Sequence, residues 1–325
     1  MATVKVEQQP YQFTWEGVGE HVMPPIEDIT DIIYMGRGSP PNFEYGSEEM
    51  VKSFVRYFFA GEHHMHLAWK AHEFAKNTYK EIGNVRDTGE LYLMHALRLM
   101  IRFFGFYSAF QAYCDETNSG FNIWEDYSAT KMLSAATVVG YLHDLPEDAH
   151  KFQYTYKAYF DEIDGIRKIS VKSQTLYGSS PMMQLIGLGL EALKKPEGYK
   201  DLDPISVAQY QVQQILDLPK KLRLVQDELG LTEEQIEFFS FLIASLKLCD
   251  RLDNEMTLFR RDTKTGDYIP MTDKKVAKII DSTLQAFYPL QEAVTRYILA
   301  DRSDMSNFSH FLEHGNQQKW PVNIK

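Results

Sequence analysis

Apolar residues recur at spacings of three and four along most of the chain, and this periodicity constrains the fold more than any other feature. Such spacing collects apolar side chains on one face of an α-helix, whereas a half-buried strand needs alternation with a period of two. No sustained alternation of that kind appears between the helical segments. The sequence therefore predicts an all-α protein. The predicted helical segments are Met50–Phe59, Leu67–Tyr79, Leu93–Phe110, Lys131–Leu142, Val207–Leu216, Ile236–Leu258 and Val276–Ile298.

Two of the predicted helices carry clear signals at their N-termini. Asp203 precedes Pro204, which places a capping carboxylate before a proline at the first helical position. Thr232 and Gln235 have the spacing of a capping box, in which each side chain bonds to the backbone N–H of the other residue. We therefore expect one helix to begin at Pro204 and another near residue 233.

The chain divides into three predicted parts. Residues 1–46 are rich in proline, glycine and acidic residues, which favours an irregular N-terminal arm. Residues 47–262 form the predicted helical domain. Residues 263–325 form a predicted C-terminal helical extension that packs on the same core, and this extension begins with the turn-prone segment Thr263–Pro270, a predicted loop.

Charge and cysteine content narrow the environment and the partners. The net charge of −11 argues against a broad surface for DNA or RNA, although a small anionic ligand needs only a local basic cluster. The cysteines, Cys114 and Cys249, form no CxxC motif, which is typical of a reducing cytoplasm. The longest apolar run, Phe239–Leu246, is too short to span a bilayer. We expect a cytoplasmic protein without a nucleic-acid or membrane partner, and a homo-oligomer is compatible with the sequence.

Four residues have the chemistry of a metal site: His95, His143, Asp144 and Asp250. Imidazole and carboxylate ligands together suit a divalent ion such as Mn²⁺, Fe²⁺ or Zn²⁺, and we take one Mn²⁺ ion as the first expectation. Asp250, Asn254 and Thr257 continue the apolar face of their helix, so their polar groups need a partner inside the core. The alternative interpretation of the His143–Asp144 pair is a capped surface turn or a hydrogen-bonded core histidine.

Three segments around these residues resemble a known family. They are GNVRDTGELYLMH (83–95), HDLPED (143–148) and KLCDRLDN (247–254). In this order they are similar to the hydrolase domain of RelA/SpoT-type alarmone enzymes and of small stand-alone alarmone hydrolases. The similarity covers roughly residues 65–260 and implies an HD-domain helical bundle, without the synthetase and regulatory domains of the longer family members.

The resemblance also implies a role for each matched residue. His95, His143, Asp144 and Asp250 fall at the metal-ligand positions. Glu147 and Asp148 fall at the paired catalytic carboxylates, close enough to the ligands to orient a water molecule and to exchange protons; alternatively, they form a solvated acidic turn. Arg86, Asn254 and Thr257 fall at positions that contact the substrate, and the alternative for Arg86 is an ordinary exposed arginine.

Departures from the family pattern lie mainly near the expected substrate. Asp87 stands where the family usually has a basic residue, and Asp253 stands where it has a histidine. The resemblance implies removal of the 3′-pyrophosphate from guanosine tetra- or pentaphosphate, a small anionic nucleotide. Two alternatives stay open: hydrolysis of another phosphorylated nucleotide, which Asp87 favours, and a non-catalytic protein that senses a nucleotide or neutralises a partner protein in the manner of an antitoxin.

Overall fold

The computed structural model describes residues 51–53, 55–56, 58–59, 62–82, 86, 92–116, 127–145, 181–261, 264–265 and 268–299. Within these residues 87% of the chain is helical, which confirms the predicted all-α fold class. The predicted arm, residues 1–46, lies outside the described residues. The boundaries of the three predicted parts stay predictions.

The described helices follow one another with short connections, except where the chain passes through undescribed residues. They are α1 (Glu62–Ile82), α2 (Tyr92–Glu116), α3 (Tyr127–Leu142), α4 (Pro181–Leu193), α5 (Pro204–Leu224), α6 (Gln226–Leu229), α7 (Glu233–Met256), α8 (Asp273–Ser282) and α9 (Tyr288–Leu299). A 3₁₀ turn (Tyr199–Asp201) precedes α5, and a π-helical turn (Thr283–Phe287) joins α8 to α9. None of these helices combines the length and the apolar content that a membrane span needs.

Both predicted helix starts are confirmed. The Asp203 carboxylate accepts hydrogen bonds from the backbone N–H groups of Ile205 and Ser206, each at 3.0 Å, and Pro204 is the first residue of α5. Thr232 Oγ1 accepts from the backbone of Gln235, and the Gln235 side chain accepts from the backbone of Thr232 in return. Each cap satisfies N–H groups that have no partner within the helix.

Helix α7 lies at the centre of the described fold, because α2, α3, α4, α5 and α9 all pack against it. Its apolar face is fully buried, and Phe239, Ile243 and Leu246 have no exposed surface. Asp250 and Thr257 continue this face and are also buried, at 5% and 4% exposure. The helix therefore carries polar groups into the core, as its periodicity predicts.

A glycine, Gly140, lets helices α2, α3 and α7 approach one another closely. Gly140 lies in the last turn of α3, and a Cβ at this position would lie 2.5 Å from Met100 Sδ of α2 and 3.1 Å from Leu246 Cδ1 of α7. Only a residue without a side chain fits here without displacing its neighbours. The close contact brings the C-terminal end of α3 against the two helices that carry His95 and Asp250.

The C-terminal part of the described chain differs from the prediction in two ways. Residues 268–270, predicted as part of a loop, form a strand that pairs antiparallel with residues 259–261, with Arg260 opposite Ile269. Strands of three residues are too short to produce a recognisable period of two. The predicted helix Val276–Ile298 is interrupted by the π-helical turn before α9 continues and packs against α7.

Candidate metal centre

The four predicted metal-ligand residues meet at one point in the fold. His95 lies in the first turn of α2, His143 and Asp144 follow α3, and Asp250 lies in α7. His95 Nε2 is 3.3 Å from Asp144 Oδ2 and 3.1 Å from Asp250 Oδ1. His143 Nε2 is 3.3 Å from Asp144 Oδ1 and 3.7 Å from Asp250 Oδ1. The ligand atoms of His95, His143 and Asp144 thus lie within 4.8 Å of one another, and Asp250 Oδ1 lies against both imidazoles.

Hydrogen bonds at the opposite ring nitrogens direct the Nε2 atoms of both histidines toward this centre. His143 Nδ1 lies 2.9 Å from the carbonyl oxygen of Gly140, and because a carbonyl only accepts, Nδ1 must donate. His95 Nδ1 donates in the same way to Asp253 Oδ2 at 2.8 Å. In a neutral imidazole this leaves Nε2 with a lone pair. Both Nε2 atoms are buried and, within the described residues, make no hydrogen bond of acceptable geometry.

The electrostatics of the centre favour a bound positive charge. Burial acts to lower the pKa of His95, but the close carboxylates of Asp144, Asp250 and Asp253 outweigh it and raise that pKa to about 10. Burial likewise opposes ionisation of Asp144, yet the neighbouring histidines hold its pKa well below the ordinary value. The buried carboxylate of Asp250 and the half-buried carboxylate of Asp144, facing two imidazoles, are stable only with added protons or with a cation. A divalent ion fits this set of donor atoms, since it would accept the two Nε2 lone pairs and neutralise the carboxylates.

Asp253 holds the first histidine in place, a role that the sequence motifs did not reveal. Its carboxylate is fully buried and accepts hydrogen bonds from His95 Nδ1, from Arg98 Nε and Nη2 at 2.8 and 3.0 Å, and from Arg102 Nε at 3.2 Å. Burial raises the pKa of Asp253, but Arg98 and His95 lower it well below its usual value, so the group is ionised. A carboxylate behind a ligating histidine fixes its tautomer and orientation. The signal in the sequence was the spacing of His95, Arg98 and Arg102 on one face of α2.

Asp250 is oriented by two neighbours on its own helix. Lys247 Nζ donates to Asp250 Oδ2 at 2.7 Å, and the lysine is itself 6% exposed. Asn254 Nδ2 donates to Asp250 Oδ1 at 3.0 Å, while Asn254 Oδ1 accepts from Arg86 Nη2 at 2.7 Å. Lys247 is the first residue of the KLCDRLDN motif, but the motif alone gave it no function. These bonds fix the carboxylate so that Oδ1 faces the two histidines.

A cavity of about 470 Å³ opens beside the metal centre. Asp144 and Asp250 line it on the side of the candidate metal centre, and the three predicted substrate residues, Arg86, Asn254 and Thr257, also line it. Thr257 also donates to the backbone carbonyl of Asp253 at 2.8 Å, which closes the end of α7. The remaining lining residues are Tyr92, Leu193, Lys195, Tyr199, Gln211, Lys247, Arg251, Met271, Lys275 and Ile279.

Among the predicted site residues, Glu147 and Asp148 lie outside the described residues, as does Asp87. The described chain ends at residue 145 and resumes at residue 181. The catalytic roles of Glu147 and Asp148, and the effect of Asp87 on the substrate, therefore stay predictions.

Comparisons with known proteins identified no relative of this chain. No protein-family model, no curated protein and no solved structure matches this chain. The function is therefore inferred from the geometry of the candidate metal centre and from the motifs in the sequence.

Proposed function

We propose that this chain is a metal-dependent phosphohydrolase with an HD-type site, and that it removes the 3′-pyrophosphate of guanosine tetra- or pentaphosphate. The observation that carries the proposal is the convergence of two buried, unbonded Nε2 atoms and two carboxylates at the edge of a cavity lined by cationic side chains. A metal centre next to a cavity with cationic side chains is an arrangement that suits metal-dependent phosphate hydrolysis. The resemblance of the three motifs supplies the identity of the nucleotide.

Each residue of the site has a specific task in this reaction. A divalent ion, when bound, would lower the pKa of a coordinated water molecule and withdraw charge from the phosphate. His95, His143, Asp144 and Asp250 would hold the ion, and Mn²⁺ is the ion we propose.

The side chains around the cavity bind and orient the substrate. The Arg86 guanidinium, which the Asn254 amide holds in place, is suited to phosphate oxygens because it offers several donors in one plane. Thr257 lines the same wall. Glu147 and Asp148 are proposed to orient the attacking water and to transfer protons, a role that rests on the resemblance alone.

The proposed substrate is a small anionic nucleotide, and the proposed compartment is the cytoplasm. Cys114 and Cys249 are both buried and form no disulfide, which agrees with a reducing environment. The cationic lining of the cavity is local and therefore compatible with the net charge of −11.

The deciding experiment incubates the purified, Mn²⁺-loaded protein with a panel of nucleotides and identifies the products by chromatography. Guanosine tetraphosphate should yield GDP and pyrophosphate, and the reaction should stop on addition of EDTA. His143→Ala should abolish turnover, whereas the matched control His66→Ala, at an exposed position of α1, should leave it unchanged. Hydrolysis of a different nucleotide alone would favour the second enzyme hypothesis. Nucleotide binding without any product would favour the non-catalytic alternative.

A further inference from the structure

Part of the cavity wall is formed by elements that carry none of the four metal-site residues. Lys195 follows α4, Tyr199 lies in the 3₁₀ turn before α5, and Lys275 and Ile279 belong to α8. Helix α8 also lies beyond residue 260, where the resemblance to the alarmone hydrolases ends. This wall is therefore a feature of the present chain that the motifs do not predict.

The charges of the cavity are unevenly divided. Its described lining contains five cationic side chains and the carboxylates of Asp144 and Asp250. Lys247 pairs directly with Asp250, so these two opposite charges offset each other on the side of the candidate metal centre. The wall formed by Lys195 and Lys275 contributes two cations, and no acidic residue of the described chain lies in its lining. Lysines that line a cavity, and are half-buried there, favour an anionic ligand.

The wall has a fixed position relative to the metal centre. Arg251, which follows Asp250 on α7, donates hydrogen bonds to the Ile279 carbonyl and to the Ser282 hydroxyl of α8. Its guanidinium carbon also lies 5.1 Å from the centre of the Phe287 ring, and Lys247 Nζ lies 5.9 Å from the same ring. The helix that bears Lys275 is thus anchored to the helix that bears Asp250.

From this arrangement we infer that Lys195 and Lys275 form a second anion subsite, which binds the phosphate group of the nucleotide that is not cleaved. The cavity volume of about 470 Å³ is in the range of sites for a small-molecule ligand. The ligand class is a nucleoside with phosphates on two different oxygens of the sugar, one directed to the metal centre and one to the lysines. The inference rests on the proposed function, since that function assigns the reacting phosphate to the metal centre.

The test compares two ligands that differ only in the second phosphate. Isothermal titration calorimetry of the Mn²⁺-loaded protein should measure the Kd of guanosine 3′,5′-bisphosphate and of guanosine 3′-monophosphate. Lys195→Gln and Lys275→Gln should each raise the Kd of the bisphosphate about tenfold, because each variant loses one charge-assisted contact, and should leave the Kd of the monophosphate unchanged.

Matched controls separate a local contact from a general loss of positive charge. Lys200→Gln and Lys274→Gln remove the same charge at exposed positions next to the wall and should change neither Kd. Equal weakening of both ligands, or an unchanged Kd for the bisphosphate, would overturn the subsite. If guanosine tetraphosphate is not hydrolysed but the lysine variants still weaken only the bisphosphate, the proposed reaction fails and the second anion subsite stands.

Discussion

His95 Nδ1 donates a hydrogen bond of 2.8 Å to Asp253 Oδ2, and the two residues are separated by 158 positions in the chain. Both side chains are almost fully buried. The bond joins α2 to α7 and leaves His95 Nε2 free to face Asp144 and Asp250. The orientation of this proposed ligand thus depends on a residue that does not itself face the centre.

Asp253→Asn should weaken metal binding without removing a ligand. The amide oxygen can still accept from His95, but the negative charge that raises the basicity of the imidazole is lost, so the metal affinity should fall by about 10- to 100-fold. The variant also leaves Arg98 and Arg102 without their buried counter-ion, which should lower the free energy of unfolding by about 3 kcal/mol. Competition with a chelator and urea denaturation measure the two effects. Asp227→Asn, at an exposed position, is the control and should change neither quantity. An Asp253→Asn protein with wild-type metal affinity would contradict the role of Asp253 in orienting His95.

Mn²⁺ should stabilise the wild-type protein through the four proposed ligands. A ligand that binds only the folded state at about 100 times its Kd contributes about 2.7 kcal/mol, which corresponds to a rise in Tm of about 5 °C. Asp144→Ala should retain the fold, since this side chain is 21% exposed, and should lose both the rise in Tm and the metal measured by elemental analysis. Full metal content in that variant would show that Asp144 is not a ligand.

Glu147→Gln should separate catalysis from metal binding. The amide cannot accept a proton, so turnover should fall by orders of magnitude while the metal content stays at the wild-type level. This prediction derives from the sequence, because Glu147 lies outside the described residues. Loss of the metal together with activity would make Glu147 a ligand, and full activity would favour the solvated acidic turn.

Sequence and structure contribute different parts of this site. The four residues of the candidate metal centre could be selected from the sequence because each lies in a short motif and because Asp250 continues the buried face of α7. The network around Asp253 could not be predicted, since a single sequence does not specify which side chains of α2 and α7 face each other. The contribution of Lys275 and Ile279 to the cavity depends on the docking of α8, for which the chain carries no motif. The helical periodicity predicted the fold class. It did not predict the two strands, because three residues are too few to show the alternation that identifies a strand.

Cys249 should be chemically inert in the folded protein although it lies beside a proposed metal ligand. Burial raises the pKa of its thiol to about 12, with Asp250 and Asp253 acting in the same direction against Arg102. At pH 8 only about one molecule in ten thousand then carries the reactive thiolate. Titration with a thiol reagent should find Cys249 unreactive in the native protein and reactive in urea. Rapid native modification of Cys249, identified by mass spectrometry, would contradict the buried position.

Two glycines within helices should respond in opposite ways to the same substitution. At Gly189 in α4, a Cβ would lie 2.8 Å from Val139 Cγ2 and 3.1 Å from Phe239 Cζ. Valine is stiff at χ1 and the phenylalanine ring is fully buried, so neither can yield easily, and Gly189→Ala should lower the free energy of unfolding by about 1–3 kcal/mol. At Gly105 in α2, no atom lies within 4 Å of the position that a Cβ would take, and Gly105→Ala should raise stability by about 0.5–1 kcal/mol through higher helix propensity. Urea denaturation measures the change in the free energy of unfolding for each variant. Because both substitutions are glycine to alanine within a helix, the sign of that change depends on the local packing. A stabilised Gly189→Ala protein would show that α3, α4 and α7 do not approach as closely as these distances require.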